Sequence, residues 1–510
     1  MERKKGLLFS YFLIVVEVFS VLLLTPYIIS SLGGAEYGVY KLIISISGYL
    51  MLLDLGVGNS VVKYVAKYKE NNDVYGNRKF LGASMLFYGA IALIACVVGV
   101  ILIRIFPVAF AHGLTADEID ISIKLLYITV INAAVMLGTS CFSNTIIGYS
   151  KFEVSNGMAI AQVCLKILLT YVALKLGFKS VAVVTIQLMT TIVCRGFYVF
   201  YVLFGLKLKP LFKNPDWKFI KEVIIYSGFI MLQMIATQIN IGASQIILGT
   251  LVSGAAMLIA VYGVGTQLVQ YFQNIGSAFN SVLMPGVVKM VERGASSVQL
   301  QEEMTRIGRL SLIVLGLIWS GFLAFGTQFI SLWVGETYRD AFYVAVILMS
   351  VYLFIYPQYI GCQILWAKNE NKDLSIMKLS AAMVNIVLTI ILVKINPVIG
   401  AAIGTFVSLF VGDVIIMNFL FKKKIGVKIG KYYRDMIRGI VPAMLIAYLT
   451  GYIFNLMKFA GWIWLGIGVI AVCVVYIGCM LLFGFNKYEK QLVAAMLSKV
   501  NFIKRRSTDV

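Results

Sequence analysis

The chain has 510 residues, 60% of them hydrophobic and only 13% charged, with a mean hydropathy of +0.91. Soluble proteins carry about 25% charged residues, so water is excluded as the solvent for most of this chain. The net charge of +21 would suit nucleic acid, but its distribution along the chain assigns it to the rim of a membrane instead.

Apolar stretches recur at 7–30, 42–61, 80–103, 121–147, 157–174, 180–205, 223–248, 255–285, 310–333, 341–366, 379–393, 398–421, 439–457 and 462–484. Each comes near the ~20 residues that a bilayer crossing needs. The predicted fold is therefore all-α: a polytopic membrane protein of about 14 transmembrane helices, read as two six-helix lobes plus two C-terminal helices. The termini and the loops on their side hold 34 Lys and Arg, the opposite loops 7. That asymmetry sets both termini in the cytoplasm and lays the basic loops against anionic headgroups. The expected partition is an N-lobe over 1–205, a cytoplasmic linker over 206–222, a C-lobe over 223–421, helices 13 and 14 within 422–484, and a basic tail over 485–510. Two successive six-helix sets of equal orientation are a transporter plan.

Polar residues inside the spans carry the functional signal. The first span opens after Met1-Glu2-Arg3-Lys4-Lys5, lacks a cleavage pattern and is read as an uncleaved helix; it holds Glu17 in its middle and Thr25-Pro26 late. Asp54 sits at the inner end of the second span, where helix capping is the simpler reading. In the fourth, Asn132, Thr139 and Ser143 form a row. The fifth places Ser155, Gln162, Lys166 and Thr170 on one helical face, and the sixth Gln187, Thr191, Arg195 and Tyr198. The seventh does so with Gln233, Thr237, Asn240 and Ser244, the eighth with Gln267, Gln270, Asn274, Ser277 and Ser281, before Met284-Pro285-Gly286 ends it. Asp413 lies mid-helix in the twelfth. The segment Asp216–Phe219 reads either as a surface helix or as a solvated linker, and the tail from Tyr488 to Arg506 as an amphipathic helix on the inner membrane surface.

Hydrogen bonds between packed helices explain any single polar row. A shared aqueous cavity explains five together, and glutamine-rich walls suit sugars, whose hydroxyls need donors and acceptors alike. A charge at membrane depth costs about 2.5–3.5 kcal/mol on insertion scales, so Glu17, Lys166 and Arg195 must meet a partner or a cavity. Either Glu17 pairs with Lys166 or Arg195 and locks the bundle, or the two cations receive an anionic cargo while Glu17 or Asp413 binds a coupling ion. The planar fork of Arg suits a phosphate. The substrate-binding candidates are thus Lys166, Arg195, Gln162, Gln187, Asn240, Gln267, Gln270 and Asn274, with Glu17 and Asp413 for ion coupling.

Seven cysteines fall inside spans without metal-ligand spacing. No phosphate-binding loop, zincin motif or nucleophile elbow is present, and no loop is long enough to fold as a catalytic domain. No cofactor, metal, nucleic acid or enzymatic activity is expected, and a monomer suffices.

Four segments near the start strongly resemble the polysaccharide transporter family of the multidrug/oligosaccharidyl-lipid/polysaccharide exporter superfamily. They are Pro26-Tyr27-Ile28-Ile29-Ser30-Ser31-Leu32-Gly33, Glu36-Tyr37-Gly38-Val39-Tyr40, Leu53-Asp54-Leu55-Gly56-Val57-Gly58 and Lys63-Tyr64-Val65-Ala66-Lys67-Tyr68. Looser similarity continues at Phe279–Pro285, Leu332–Gly335 and Gly400–Thr405. The resemblance implies a flippase in a bacterial inner membrane. It would move an undecaprenyl-diphosphate-linked oligosaccharide, as for O-antigen or capsule, to the outer leaflet by alternating access, with a proton or sodium ion as the coupling ion if one is used. Other branches of the superfamily, drug antiporters coupled to cations and the lipid II flippases, are the alternatives; a drug antiporter would want an acidic cavity.

Overall fold

The computed structural model describes residues 2–212, 217–368, 370–457 and 461–492. Among them every regular element is a helix. In chain order these are α1 (Glu2–Leu32), α2 (Gly34–Met51), α3 (Val57–Glu70), α4 (Val74–Ala109), α5 (Ala116–Gly138), α6 (Ser140–Gly148), α7 (Phe152–Lys175), α8 (Ser180–Phe200) and α9 (Trp217–Leu251). Then follow α10 (Ala255–Glu292), α11 (Ser297–Val334), α12 (Ala341–Ala367), α13 (Asn371–Val393), α14 (Pro397–Leu409), α15 (Met417–Leu420), α16 (Ile429–Ile437), α17 (Ile440–Leu456) and α18 (Trp462–Cys479). Short π-helical segments extend α8, α14, α15 and α18.

Eleven helical segments are long and apolar enough to cross a membrane, or thirteen if two bent pairs each count as one span. The pairs are Gly34–Asp54 with Val57–Glu70, bent by 42°, and Ile429–Ile437 with Ile440–Leu456, bent by 43°. The first expected span coincides with α1, whose apolar stretch Val16–Leu32 is shorter than the others; on length and composition the count therefore stops short of fourteen. Capping explains sharp starts between spans: Thr115 with Glu118 and Ser296 with Gln299 form reciprocal capping boxes ahead of α5 and α11.

Several boundaries differ from the hydropathy reading. α2 begins at Gly34 rather than 42 and draws Lys41 into the helix. It can do so because Tyr37, Val39 and Tyr40 are buried and the Glu36 carboxylate is satisfied by Ser180. α13 likewise starts at Asn371 and takes in Lys378, expected in a loop. α10 runs through Pro285 to Glu292, where a helix end was expected, and α1 runs through Pro26. Trp217–Phe219 open α9, so neither a separate surface helix nor a linker forms there; Asp216 lies outside the described residues.

The helices gather into two compact units, Met1–Thr266 with Asn371–Asp413 and Gln267–Glu370 with Val414–Val510. In the first unit α1 lies on α7, α5 on α2, α4 and α8, α7 on α8, and α9 on α13. Close approaches rest on missing side chains: a Cβ on Gly38 would stand 1.7 Å from the Ala256 carbonyl oxygen, so only glycine lets α2 and the start of α10 touch there.

In the second unit α11 carries α12, α16, α17 and α18. Its N-terminal part is tied down by Arg309, buried at 5% exposure. The guanidinium donates Nε to Glu489 Oε1 at 2.6 Å, Nη2 to Glu489 Oε2 at 3.0 Å and to the Gly484 carbonyl at 2.7 Å, and Nη1 to the carbonyls of Asp435 and Arg438 at 3.0 and 2.9 Å. One side chain thus closes the exposed carbonyls at the end of α16 and after α18. Tyr488 stacks on Arg306 at 4.1 Å. Tyr488 and Glu489 therefore dock onto this unit; the tail beyond Leu492 lies outside the described residues. Removing one partner of a buried ion pair costs about 3–5 kcal/mol. Glu489→Ala should lower the unfolding temperature in detergent sharply, and an unchanged melt would contradict this anchoring.

Candidate functional site

The fifth and sixth expected spans are α7 and α8, and the structure packs them side by side in the first unit. They run antiparallel, and Gln162 donates to Thr191 at 3.4 Å across them, which sets their register. Lys166 stands one turn from Gln162 toward Lys175, and Arg195 one turn from Thr191 toward Gly205. Arg195 donates to Ser143 on α6 at 2.9 Å and lies 5.9 Å from the Tyr198 ring centre. Tyr198 in turn donates to the Ser155 carbonyl at 3.1 Å. The polar rows of the fourth, fifth and sixth spans thus converge, and Gln187 sits half-buried one turn from Thr191 on the other side from Arg195.

The charges find partners in an order that spacing alone did not reveal. Glu17 on α1 comes within electrostatic range of Lys166. Arg195 instead lies within range of Asp54. A third cation, Lys41 on α2, comes within range of Lys166, with its ammonium 5.3 Å from the Tyr37 ring centre. Its stem runs along the start of α10, where a Cβ on Gly263 would stand 3.0 Å from Lys41 Cγ. Hydropathy hid Lys41 by placing it in a loop; the one available signal was its position four residues after Tyr37 on a buried helical face.

Asp54 occupies a helix break. Leu55 and Gly56 both adopt left-handed backbone, with φ of 56° and 71°, a conformation that suits Gly and strains Leu. The Asp54 carboxylate lies near the backbone of Gly56 and Gly58 at the start of α3. Such left-handed strain persists only where surrounding contacts hold it. Tyr88, buried on α4, turns its hydroxyl toward Asp54 and Asn144 without a hydrogen bond of good geometry.

The seventh-span row bonds to neighbouring helices. Gln233 donates to Ser375 on α13 at 3.0 Å, Asn240 accepts from Asn385 at 2.8 Å, and Ser244 bonds Thr405 on α14 at 3.1 Å. Thr389 and Thr405 both donate to the Asn385 carbonyl oxygen, at 2.9 and 3.3 Å, so Asn385 is the centre of the network. The Asn240 side chain is engaged between helices here, as polar residues commonly are in membrane bundles. Asp413, in the π-helical segment Phe410–Ile416, pairs with Lys378 at 3.4 Å. The eighth-span candidates fall in the second unit, where Gln270 donates to Asn274 at 3.1 Å and Gln267 precedes them by one turn on α10. The structure thus brings Lys166, Gln162, Gln187, Arg195 and Glu17 together, with Lys41 and Asp54 added, and leaves Asn240 and Asp413 in separate clusters. Among the described residues no group of His, Cys, Asp and Glu could hold a metal ion, and all seven cysteines are free thiols.

Residues 8–291 match the family described as polysaccharide biosynthesis protein. A candidate O-antigen transporter of Shigella flexneri is 19% identical over 408 residues, which cover 78% of this chain and 92% of that protein. Among solved structures, lipid II flippase MurJ in an inward closed conformation aligns with a TM-score of 0.70 at 16% identity, covering 93% of this chain and 98% of that one. A multidrug resistance MATE family transporter in its inward-facing conformation aligns at 0.59 and 14% identity, covering 79% and 96%. These structural likenesses establish the fold.

The α9–α13–α14 network makes a separable prediction. Polar pairs between membrane helices contribute about 0.6 kcal/mol on average, up to ~1.7. Asn385→Leu should lower stability by about 1 kcal/mol and Asn240→Leu should add little to it, because the two share one interaction. Additive losses in detergent unfolding would contradict the pairing.

Proposed function

Since the chain belongs to the polysaccharide biosynthesis protein family, we propose that it is a flippase that carries a lipid-linked oligosaccharide repeat unit from the inner to the outer leaflet by alternating access. The cargo class is a polyprenyl-diphosphate sugar destined for surface polysaccharide. The observation that carries this reading is the set of three cations at membrane depth in one unit, Lys41, Lys166 and Arg195, beside the carboxylates of Glu17 and Asp54. An ion so placed is expensive in lipid and marks a substrate path. A diphosphate is the complementary anion, and Arg195 can grip two of its oxygens at once.

The mechanism follows from solvent preference. The polyprenyl tail stays in hydrocarbon, while the diphosphate and sugars need polar walls. Gln162 and Gln187 offer donors and acceptors to hydroxyls beside the cations. Net direction comes from an ion gradient, through Glu17 or Asp413, or from removal of product outside. In this reading the protein is a multi-pass bacterial inner-membrane monomer with both termini in the cytoplasm, and it performs transport without covalent chemistry.

Support comes from the relatives: the Shigella protein is named for O-antigen transport and MurJ for lipid II. A lipid II cargo is the second flippase reading, and the cations would serve any anionic lipid-linked cargo. Export of cationic drugs is the reading they oppose, since like charges in a low dielectric repel. Arg195→Glu should abolish flipping of a fluorescent polyprenyl-diphosphate oligosaccharide in proteoliposomes while the protein elutes as folded. Retained flipping would overturn the role given to this cation.

A further inference from the structure

The first turns of α11 stand outside the apolar slab. Its predicted span begins at 310, so Gln301 lies about 13 Å beyond it at ~1.5 Å per residue, past a headgroup layer of about 5–7 Å. There, in the second unit, a cavity of about 380 Å³ opens between the start of α11, the start of α16 and Tyr488. Small-molecule sites run at about 300–1,000 Å³, so it admits one metabolite. Its walls are held by the protein's own contacts. The Lys428 backbone N–H donates to Gln301 Oε1 at 2.8 Å. Gly426, at φ 84°, lets its loop approach α11, since a Cβ there would stand 2.9 Å from Ser297 Oγ. Tyr488 stacks on Arg306 at 4.1 Å. Arg309 also lines the cavity, but its guanidinium N–H groups are already engaged by Glu489 and main-chain carbonyls.

The lining charges are unequally answered. Arg306 pairs with Glu303 at 3.2 Å, and Asp435 with Arg434 at 3.7 Å. Lys428 and Lys431 both line the cavity and make no ion pair among the described residues. Three residues apart at the start of α16, they are neighbours whose like charges repel, and an anion between them relieves the repulsion. We propose that this cavity binds the phosphate groups of a water-soluble metabolite, gripped by Lys428 and Lys431. The side-chain N–H groups of Gln301 and Asn486 add donors, since the oxygens of both amides already accept main-chain N–H groups. A diphosphate carries enough negative charge for two lysines, where one carboxylate would answer only one. The distance from the slab favours a dissolved ligand over a lipid headgroup. The site belongs to the second unit, whereas Lys166 and Arg195 belong to the first, and it stands independently of the flippase reading. Its walls come from α11, α16 and the C-terminal segment, so occupancy adds a tie between them beside that of Arg309.

The test is calorimetric titration of the full chain in detergent with inorganic diphosphate. Saturable binding should appear, and Lys428→Gln together with Lys431→Gln should weaken it at least about tenfold, as loss of charge-assisted bonds requires. Glu302→Gln should tighten it at least about twofold, because a repelling charge leaves the cavity wall. Lys422→Gln together with Lys423→Gln removes two exposed lysines that do not line the cavity, and should leave binding within about twofold. Lys428, Lys431 and Glu302 are exposed as well, so the variants should elute as folded. Should the Lys428 and Lys431 pair fail to fold, the direction of the Glu302→Gln effect still decides. Absence of saturable binding, equal weakening by the two double variants, or weaker binding by Glu302→Gln would overturn the proposal. Short-chain phosphatidylglycerol should displace diphosphate only in about tenfold or greater excess. Displacement at equal concentration would make it a headgroup site and overturn the assignment to a dissolved ligand. Flipping is not read in this titration, so failure of the transport reading leaves its outcome intact.

Discussion

A charge inside an apolar slab must be met by an opposite charge, by hydrogen bonds or by water, and the arrangement of the first unit follows from that constraint. Glu17 comes within electrostatic range of Lys166 and Asp54 of Arg195, Lys378 pairs with Asp413, and Glu36 is covered by Ser180. The contacts of Glu17, Asp54 and Glu36 join helices distant in sequence, and that of Asp413 joins two consecutive ones. The same constraint in the second unit draws Arg309, Glu489 and a ring of carbonyls into one knot.

The opening segments that carry the family likeness turn out to be structural devices. Glu36 caps the start of α8, Tyr37 fills the interior, and Gly38 admits the Ala256 carbonyl. Asp54, Leu55 and Gly56 break one long helix into α2 and α3 and turn it by 42°. Gly58 makes room for Asn144. The break brings Asp54 within electrostatic range of Arg195.

Helical content, the membrane setting and the polar faces of α7 and α8 were legible because each depends on local composition and a period of 3.6 residues. Lys41 and Lys378 escaped because a hydropathy window ends a span at the first charge, whereas a helix continues wherever that charge finds a partner. Pairing was not legible either. Glu17 sits equally far along its span from both predicted cations, and only packing of α1 on α7 gives it to Lys166. The row from Gln233 to Ser244 looks like a cavity wall in one dimension; its true facing partners, Ser375, Asn385 and Thr405, come from helices far along the chain. Arg309 and Glu489 are 180 residues apart, beyond any sequence pattern.

The central claim is that lipid-linked sugars are the cargo. The most direct measurement is mass spectrometry of lipid extracts from cells that lack this gene. A complete polyprenyl-diphosphate repeat unit should accumulate while surface polysaccharide is lost, and the same spectrum would identify the sugars. Unchanged lipid-linked sugars together with raised sensitivity to cationic drugs would contradict the account and replace it with a drug antiporter.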